Sequence, residues 1–231
     1  MSRREDLAAN LEAVRTRIAK ACEAADRDPG DITLVAVTKT FPASDVRLLA
    51  ELGITDVAEN RDQEAAPKAT ECRDLDLTWH FVGQLQTNKA RSVVSYADVV
   101  HSVDRPRLVT ALSKAALAAE RSVRCLIQVS LDEVEGRGGV RPDEVIALAD
   151  ALSAAEGLEL GGVMAVAPLG ADPAPAFARL AKIAISLRAA YPAAKTVSAG
   201  MSGDLEQAIA SGATHVRVGT ALLGGRRAIV R

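Results

Sequence analysis

Short apolar runs alternate with amphipathic stretches along almost the whole chain. The runs are rich in valine and other β-branched residues, which is typical of strands buried on both faces of a parallel sheet. The stretches between them carry apolar residues at helical spacing, and several stop at a glycine. Eight strands are predicted, at 35–39, 55–59, 77–82, 98–102, 123–130, 160–166, 194–198 and 214–218.

The chain opens with an amphipathic helix. Ser2 and Glu5 have the spacing of a capping box, and apolar residues then recur at helical intervals until Asp-Pro-Gly at 28–30 interrupts the pattern. We therefore expect residues 1–27 to form an extra N-terminal helix that packs on the rest of the fold. Further helices are predicted at 44–52, 61–73, 87–96, 105–120, 142–157, 177–191 and 204–212. Thr87 is expected to cap the helix at 87–96.

Strands and helices alternate over one span that contains no linker or low-complexity tract. Eight strands alternating with helices form a (β/α)8 TIM barrel, whose usual size of roughly 200 to 250 residues fits a chain of 231 residues. We predict an α/β fold with a single barrel domain over 1–231. A doubly wound open sheet is the alternative fold, but it requires a glycine-rich phosphate turn, and no GxGxxG motif follows the first strand.

Composition narrows the class of protein and its partners. With 48% hydrophobic and 25% charged residues, the chain has the balance of an ordinary globular protein. A formal net charge of -2 gives no general attraction for nucleic acid or an anionic membrane, so neither is expected as a partner. The three cysteines are widely spaced, which argues against disulfides and structural zinc and favours a reducing cytoplasm. We expect a monomer without a secretory or membrane-spanning segment.

A lysine ends the first predicted strand. Lys39 is followed by Thr40, Phe41 and Pro42, so the strand stops where the charge appears. In parallel α/β folds the carboxyl ends of the strands carry the chemistry. Lys39 is therefore either a functional amine at that end of the barrel or a lysine that extends into solvent.

Glycines and hydroxyl residues follow the last two predicted strands. In a barrel these loops commonly bind a phosphate, because they present backbone N–H groups and helix N-termini to an anion. Gly203 and Gly219 allow the backbone to approach a ligand closely, while Ser202 offers a hydroxyl at a helix N-cap and Thr220 a second hydroxyl. Either loop alone is equally consistent with ordinary turn glycines, but the joint placement favours a phosphate site.

Arg217 lies on the last predicted strand, on the same face as His215 and Gly219, because side chains alternate along a strand. It needs an anion or another acceptor, and a buried ion pair with a carboxylate is the structural alternative. A lysine, an arginine and a phosphate loop around one ligand suggest a phosphorylated aldehyde. Pyridoxal 5′-phosphate (PLP) fits, because its aldehyde forms a Schiff base with lysine while its phosphate and ring nitrogen need separate partners.

Seven segments carry a resemblance to a known family. They are 35–39 (Val-Ala-Val-Thr-Lys), Glu59-Asn60 with Gln63-Glu64, 79–86 with Asn88-Lys89, 101–105, 164–168 (Met-Ala-Val-Ala-Pro), 200–204 (Gly-Met-Ser-Gly-Asp) and 216–221. In this order they resemble the pyridoxal phosphate homeostasis proteins, also called proline synthase co-transcribed proteins, which share the barrel of the alanine racemase N-terminal domain. The resemblance covers nearly the whole chain.

The resemblance implies a barrel that carries PLP as a Schiff base on Lys39, with Arg217 near the ring nitrogen. It assigns further cofactor contacts to Asn60, Met164, Ser202, Gly203, Gly219 and Thr220. Because an arginine only donates hydrogen bonds, it would keep the ring nitrogen unprotonated and make the ring a poor electron sink. The resemblance implies a cofactor carrier in intracellular PLP homeostasis, without substantial catalysis of its own and with apo PLP-dependent enzymes as acceptors.

One predicted loop departs from the pattern of this family. Residues 131–140 are rich in glycine and charge and predict a long loop, and such loops often carry function. At 136–139 the chain has Gly-Arg-Gly-Gly, where the family pattern is Lys, then Ser or Ala, then Gly. The role of this loop stays open.

A PLP-dependent amino-acid racemase is the alternative function. It needs an acid or base on each face of the substrate, and Lys39 supplies only one. Related racemases take the second from a tyrosine on an additional C-terminal domain, whereas Tyr96 and Tyr191 lie at the ends of predicted helices. His80 is expected to be hydrogen-bonded within the barrel rather than to act as that base.

Two other enzyme classes use part of the same residue set. A metal-dependent hydrolase would draw on His80, His101 and His215, which all lie on predicted strands, but no carboxylate occupies a matching strand end. A class I aldolase would use Lys39 as a Schiff base without needing Arg217 at a pyridine ring.

Overall fold

The computed structural model describes residues 2–131 and 138–225. Within these ranges eight parallel strands pair in chain order and close into a barrel, with the last strand hydrogen-bonded to the first. The strands are β1 Thr33–Val37, β2 Asp56–Glu59, β3 Thr78–Phe81, β4 Val99–Val103, β5 Val123–Gln128, β6 Leu158–Met164, β7 Thr196–Ser198 and β8 His215–Val218. The predicted (β/α)8 barrel is confirmed, and the alternative of an open doubly wound sheet is wrong.

A helix follows each strand, and one further helix precedes the barrel. The helices are α1 Arg3–Ala24, α2 Ala43–Glu51, α3 Asp62–Glu71, α4 Ala90–Val94, α5 Pro106–Ala118, α6 Val145–Ser153, α7 Pro173–Ala190, α8 Leu205–Ala210 and α9 Thr220–Leu223. Short 3-10 turns lie at Pro29–Asp31, Thr87–Lys89 and Pro142–Glu144. Because every connection runs back along the outside of the barrel, the carboxyl ends of all strands meet at one rim.

Most of the apolar core lies between the strands and the surrounding helices, and the space inside the barrel is small. Val35, Val37 and Ala58 form one apolar cluster inside it, and Met164 joins Val99 and Leu126 in another. Several of the other residues that point into the barrel are polar and buried, among them two histidines and an arginine. Buried polar groups need hydrogen-bond partners, so this interior must satisfy them itself.

The N-terminal helix α1 packs on the outside of the barrel. Its predicted capping box is present: the Ser2 side chain accepts from the Glu5 N–H, and the Glu5 carboxylate accepts from the Ser2 N–H at 2.7 Å. The apolar face of α1 packs against α8 and α9. The Asn10 side chain donates to the Leu222 carbonyl at 3.0 Å, and Arg17 pairs with Glu206 at 2.7 Å. These contacts tie the start of the chain to the last two strand-helix units.

Two boundaries differ from the sequence prediction. The first strand ends at Val37, two residues before the expected position, because residues 38–41 form a turn in which the Phe41 N–H donates to the Thr38 carbonyl at 3.1 Å. Thr87 is the first residue of a 3-10 turn and makes no side-chain capping bond there, and α4 begins only at Ala90. Both differences lie at the carboxyl rim, where backbone geometry responds to contacts between loops.

Part of the predicted loop at 131–140 is ordered by backbone pairing. Val140 forms a parallel bridge with Val129, and the Gln128 side-chain amide donates to the Gly138 carbonyl at 2.8 Å. Residues 132–137, which include Gly136 and Arg137 of that prediction, lie outside the described residues.

Candidate functional site

Lys39 lies in the turn between β1 and α2 and is half-buried. The preceding Thr38 is fully buried, and its N–H donates to the Ala58 carbonyl at 2.9 Å, so the turn is anchored to β2. Thr40 has a φ of +68°, a left-handed conformation that β-branched residues rarely adopt. The backbone thus reverses directly after Lys39, and this unusual conformation points to a functional constraint on the turn.

A buried ion pair lies beneath this turn. Lys68 on α3 forms a short hydrogen-bonded contact with Glu59 at the end of β2, and its ammonium also donates to the Thr38 carbonyl at 2.9 Å. The Thr38 hydroxyl donates to Glu59 Oε1 at 2.7 Å. Burial raises the pKa of Glu59, whereas Lys68 and the hydroxyl of Thr38 act in the opposite direction. The support that Lys68 provides to the Lys39 turn could not be predicted from the sequence, because Lys68 lies in an ordinary charged helical stretch.

The loops after β7 and β8 contact each other at the same rim. Ser202 does not cap its own helix as predicted: Asp204 is the N-cap residue of α8, and the Ser202 hydroxyl instead accepts from the Ala221 N–H at 3.1 Å. That N–H belongs to the first turn of α9, so Ser202 joins the two loops. Met201 N–H donates to the Asp204 carboxylate at 2.6 Å and closes the first loop. The two predicted phosphate loops therefore form one surface.

Glycines leave the backbone of this surface uncovered. A Cβ added to Gly203 would meet no atom within 4 Å, and one added to Gly219 would come within 3.3 Å of the Val37 carbonyl. Gly219 therefore lies directly beside the end of β1. At Gly203 an incoming group reaches the main chain without meeting a side chain, whereas at Gly219 the space for a Cβ is taken by Val37.

Arg217 points into the barrel and is only 4% exposed. Its Nη1 donates to the Ser198 hydroxyl at 2.6 Å, and its Nη2 donates to the Ala165 carbonyl at 2.9 Å. Burial lowers the pKa of Arg217 to about 10, and only the charge of Asp204 opposes this. Within the described residues Arg217 makes no ion pair. The structural alternative, in which Arg217 would form a buried ion pair with a carboxylate, is therefore wrong for this part of the chain.

These elements surround one cavity of about 250 Å³ at the carboxyl rim. It is lined by Val37, Lys39, Thr40, Phe41, Met201, Ser202, Gly203, Arg217, Gly219, Thr220 and Gly224. Among the described residues that line it, Lys39 and Arg217 are the only ones with ionisable side chains. The closed barrel thus brings an amine from β1, an arginine from β8 and the two glycine loops together, as the sequence predicted.

Two predicted site residues do not line this cavity. Met164 is 2% exposed and packs inside the barrel with Val99 and Leu126. The backbone of Asn60 lies so close to Gly83 that a Cβ there would be 2.0 Å from the Asn60 carbonyl oxygen. Their assignment to a cofactor site stays a prediction.

The histidines and tyrosines lie outside the cavity lining. His80 is hydrogen-bonded inside the barrel as predicted, to His101 at 2.8 Å and to Asp56 at 2.9 Å. In the described part of the chain no group of three or more His, Cys, Asp or Glu side chains is arranged to hold a metal ion. The Tyr191 hydroxyl contacts Asp150, and the Tyr96 ring packs edge-on against Trp79.

Comparison with known proteins identifies the family. The model of the alanine racemase N-terminal domain matches residues 9–227. A pyridoxal phosphate homeostasis protein of Mycobacterium tuberculosis is 46% identical, over 97% of this chain and 95% of the relative. The chain belongs to the pyridoxal phosphate homeostasis protein family. A member from Escherichia coli is 37% identical, over 96% of this chain and 97% of the relative.

Solved structures agree with this assignment to the pyridoxal phosphate homeostasis protein family. PipY of Synechococcus elongatus with PLP bound is 36% identical and superposes with a TM-score of 0.83, covering 94% of this chain and 100% of PipY. Alanine racemase of Clostridium difficile is 15% identical with a TM-score of 0.73, and this chain covers 56% of its length. At that identity the likeness to the racemase shows the fold alone. None of the helices in the described ranges has the length and apolar character needed to span a bilayer.

Removing Lys68 from the pair beneath the Lys39 turn should strongly destabilise the protein. Lys68→Met leaves the buried Glu59 carboxylate without its cation, which costs about 3–5 kcal/mol of unfolding free energy. Adding Glu59→Leu to this variant should recover most of the lost unfolding free energy, because the double variant buries no charge at these two positions. Urea unfolding followed by circular dichroism measures both. Lys114→Met, which removes an exposed lysine of α5, is the control, and a loss of under 1 kcal/mol for Lys68→Met would contradict the prediction.

His215 should make stability depend on pH. Burial lowers the pKa of His215 to about 4, and the charges of Arg124 and Arg217 act in the same direction. The unfolded chain then binds a proton near pH 6.5 while the folded chain does not, so stability is lost as pH falls from about 6.5 to 4, by roughly 3 kcal/mol. The unfolding free energy, measured by denaturant titration at several pH values in this range, should change less with pH for His215→Gln than for the wild type. Equal slopes for the variant and the wild type would contradict this assignment.

Proposed function

We propose that this protein holds PLP as a Schiff base on Lys39 and takes part in intracellular PLP homeostasis. The observation that carries the proposal is the convergence of Lys39, Arg217 and two glycine loops on one cavity. When bound, PLP supplies an aldehyde that condenses with an amine and an aromatic ring that withdraws electrons. Lys39 would supply the amine for this condensation.

The phosphate end of PLP fits the surface formed by the loops after β7 and β8. Gly203 leaves its backbone uncovered there, Gly219 lines the same surface, and Ser202 and Thr220 add hydroxyls to the cavity lining. Backbone N–H groups and hydroxyls are the donors that phosphate oxygens accept from in many barrels. Because Ser202 joins the two loops, this donor set is held in place before a ligand arrives.

Arg217 fits the ring nitrogen. Its guanidinium is buried and anchored by Ser198 and Ala165, yet the residue still lines the cavity. An arginine has only donors, so beside a pyridine nitrogen it favours the unprotonated ring. An unprotonated ring withdraws less charge from a carbanion, which suits storage of the cofactor better than catalysis on it.

We further propose that the protein has no substantial catalytic activity. A racemase needs a second acid or base opposite Lys39. Among the described residues that line the cavity, Arg217 is the only other ionisable group, and neither Tyr96 nor Tyr191 lies there. An aldolase would use Lys39 without a need for Arg217. The relatives at 37–46% identity are named as homeostasis proteins, which supports the carrier proposal.

Three narrower proposals concern the setting of this function. Apo forms of PLP-dependent enzymes are proposed as acceptors of the cofactor, since a protein that stores an aldehyde reversibly must pass it on. The proposed location is the cytoplasm, and the free, buried state of Cys22, Cys72 and Cys125 fits a reducing compartment. The protein is proposed to act as a monomer.

Replacing Lys39 should abolish covalent retention of PLP. Wild-type protein incubated with PLP should show a visible absorbance band that survives gel filtration and that borohydride reduction converts to a stable adduct. Lys39→Ala should lose the band and the adduct, because no amine remains in the cavity. Lys20→Ala removes an exposed lysine of α1 and should leave both unchanged. A wild-type protein that stays colourless with added PLP would overturn the proposal.

The loaded protein should not racemise amino acids. With Lys39 as the only side-chain base in the described lining, turnover of common L-amino acids should stay at the level of free PLP. Chiral chromatography after prolonged incubation measures this, with an authentic alanine racemase as the positive control. Robust conversion of any one amino acid would show an enzyme instead of a carrier.

A further inference from the structure

A line of hydrogen-bonded side chains crosses the interior of the barrel behind the cavity. Nη1 of Arg217 lies 2.6 Å from Ser198 Oγ, which lies 3.0 Å from His101 Nδ1. His101 Nε2 lies 2.8 Å from His80 Nδ1, and His80 Nε2 lies 2.9 Å from Asp56 Oδ1. We call these five residues the interior chain. They come from β8, β7, β4, β3 and β2, so only closure of the barrel assembles them.

The two ends of the interior chain lie at opposite ends of the barrel. Arg217 lines the cavity at the carboxyl rim. Asp56 is the first residue of β2 and lines a different cavity of about 500 Å³ at the amino rim, beside Arg15 and Thr55. The three residues between them, Ser198, His101 and His80, are at most 1% exposed. The interior chain is therefore a sealed connection between two solvent-accessible sites.

With both imidazoles neutral, the donors and acceptors in the interior chain have one consistent assignment. A carboxylate only accepts, so His80 carries its proton on Nε2 and accepts at Nδ1. His101 then carries its proton on Nε2 and accepts at Nδ1 from the Ser198 hydroxyl. Ser198 in turn accepts from Arg217, which only donates. In every hydrogen bond of the interior chain the donor is therefore the group nearer to the Arg217 cation and the acceptor the group nearer to the Asp56 anion.

The charges at the two ends support this assignment. Burial raises the pKa of Asp56, but hydrogen bonds from His80 and Thr55 outweigh it, and the pKa lies below its ordinary value. Burial also lowers the pKa of His101 well below its ordinary value, so its ring is neutral. His215 is the other titratable ring that faces His80, at 6.4 Å between ring centroids, and burial lowers its pKa as well. Aligned hydrogen bonds polarise one another, so Asp56 and Arg217 interact through neutral groups.

We propose that Asp56, acting through the interior chain, is a positioning residue for Arg217. Arg217 makes no ion pair among the described residues, and the interior chain links it to an anion at the far end of the barrel. The carboxylate sets both histidine tautomers, the tautomers set the direction of the Ser198 hydroxyl, and that hydroxyl holds one arm of the guanidinium. The part of this inference that concerns the cofactor ring rests on the proposed function.

The tautomers can be measured without any cofactor. Two-bond proton–nitrogen correlation spectra of 15N-labelled apo protein near pH 7 should show His80 and His101 as neutral Nε2–H rings. Asp56→Asn keeps the size of the side chain but removes the charge, so His80 is no longer forced to donate, and both rings should lose this pattern. Asp76→Asn is the matched control, because Asp76 is exposed. A wild-type Nδ1–H tautomer or an imidazolium at either ring would overturn the assignment.

A second measurement tests the effect on the cofactor site. In PLP-loaded protein, Asp56→Asn should shift the visible absorbance band and weaken PLP retention by roughly 2- to 30-fold, the usual range for coupling through packed networks. Asp76→Asn should change neither. Unchanged absorbance and retention in a folded Asp56→Asn variant would overturn the positioning role. If the wild type takes up no PLP, the proposed function fails, whereas the spectra of the apo protein still decide whether the interior chain exists as assigned.

Discussion

The pairing of β1 with β8 is the interaction on which the site depends. Four residues of β1 pair in register with the whole of β8, from Thr33 opposite His215 to Ala36 opposite Val218. This closure places Lys39 and Arg217, which are far apart along the chain, at the same rim. It also sets Gly219 against the end of β1. A barrel opened at this seam would keep its strands and helices and still lose the cavity.

Closure also creates the main physical difficulty of the fold, because it buries charge. Glu59, on the side of β2 that faces α3, and Arg217, inside the barrel, are both buried, and isolated buried charges are strongly unfavourable. The two buried charges are stabilised in different ways. Glu59 is paired directly with Lys68, whereas Arg217 is satisfied by neutral acceptors and faces a carboxylate only across the interior chain. The direct pair supports the turn that carries Lys39, and the indirect arrangement leaves the arginine available to a ligand.

Much of the fold could be predicted from the sequence, because strands, helices and helix caps are signalled by residues that are close together in the chain. The valine-rich runs and the capping box of Ser2 and Glu5 depend on near neighbours, and the structure has both. The cavity lining also followed, since strand order places the end of the first strand beside the last. The hydrogen-bond partners that side chains find in other loops and helices could not be predicted in this way. Ser202 was expected to cap its own helix and instead binds α9, and Lys68 gave no signal, because both contacts depend on how loops meet after closure.

A comparison of the two ends of the cavity favours the proposal that the protein retains a cofactor rather than catalysing a reaction on it. At one end a single amine lies on a turn braced by a buried ion pair, and at the other an arginine is fixed by two hydrogen bonds. Catalysis on a substrate would need a further group that changes its protonation state beside the cofactor. His80 and His101 are buried in the interior chain, where both nitrogens of each ring are already hydrogen-bonded. In the proposed arrangement His80 and His101 position the arginine instead of acting as acids or bases, which fits the proposal that this site holds a cofactor without transforming it.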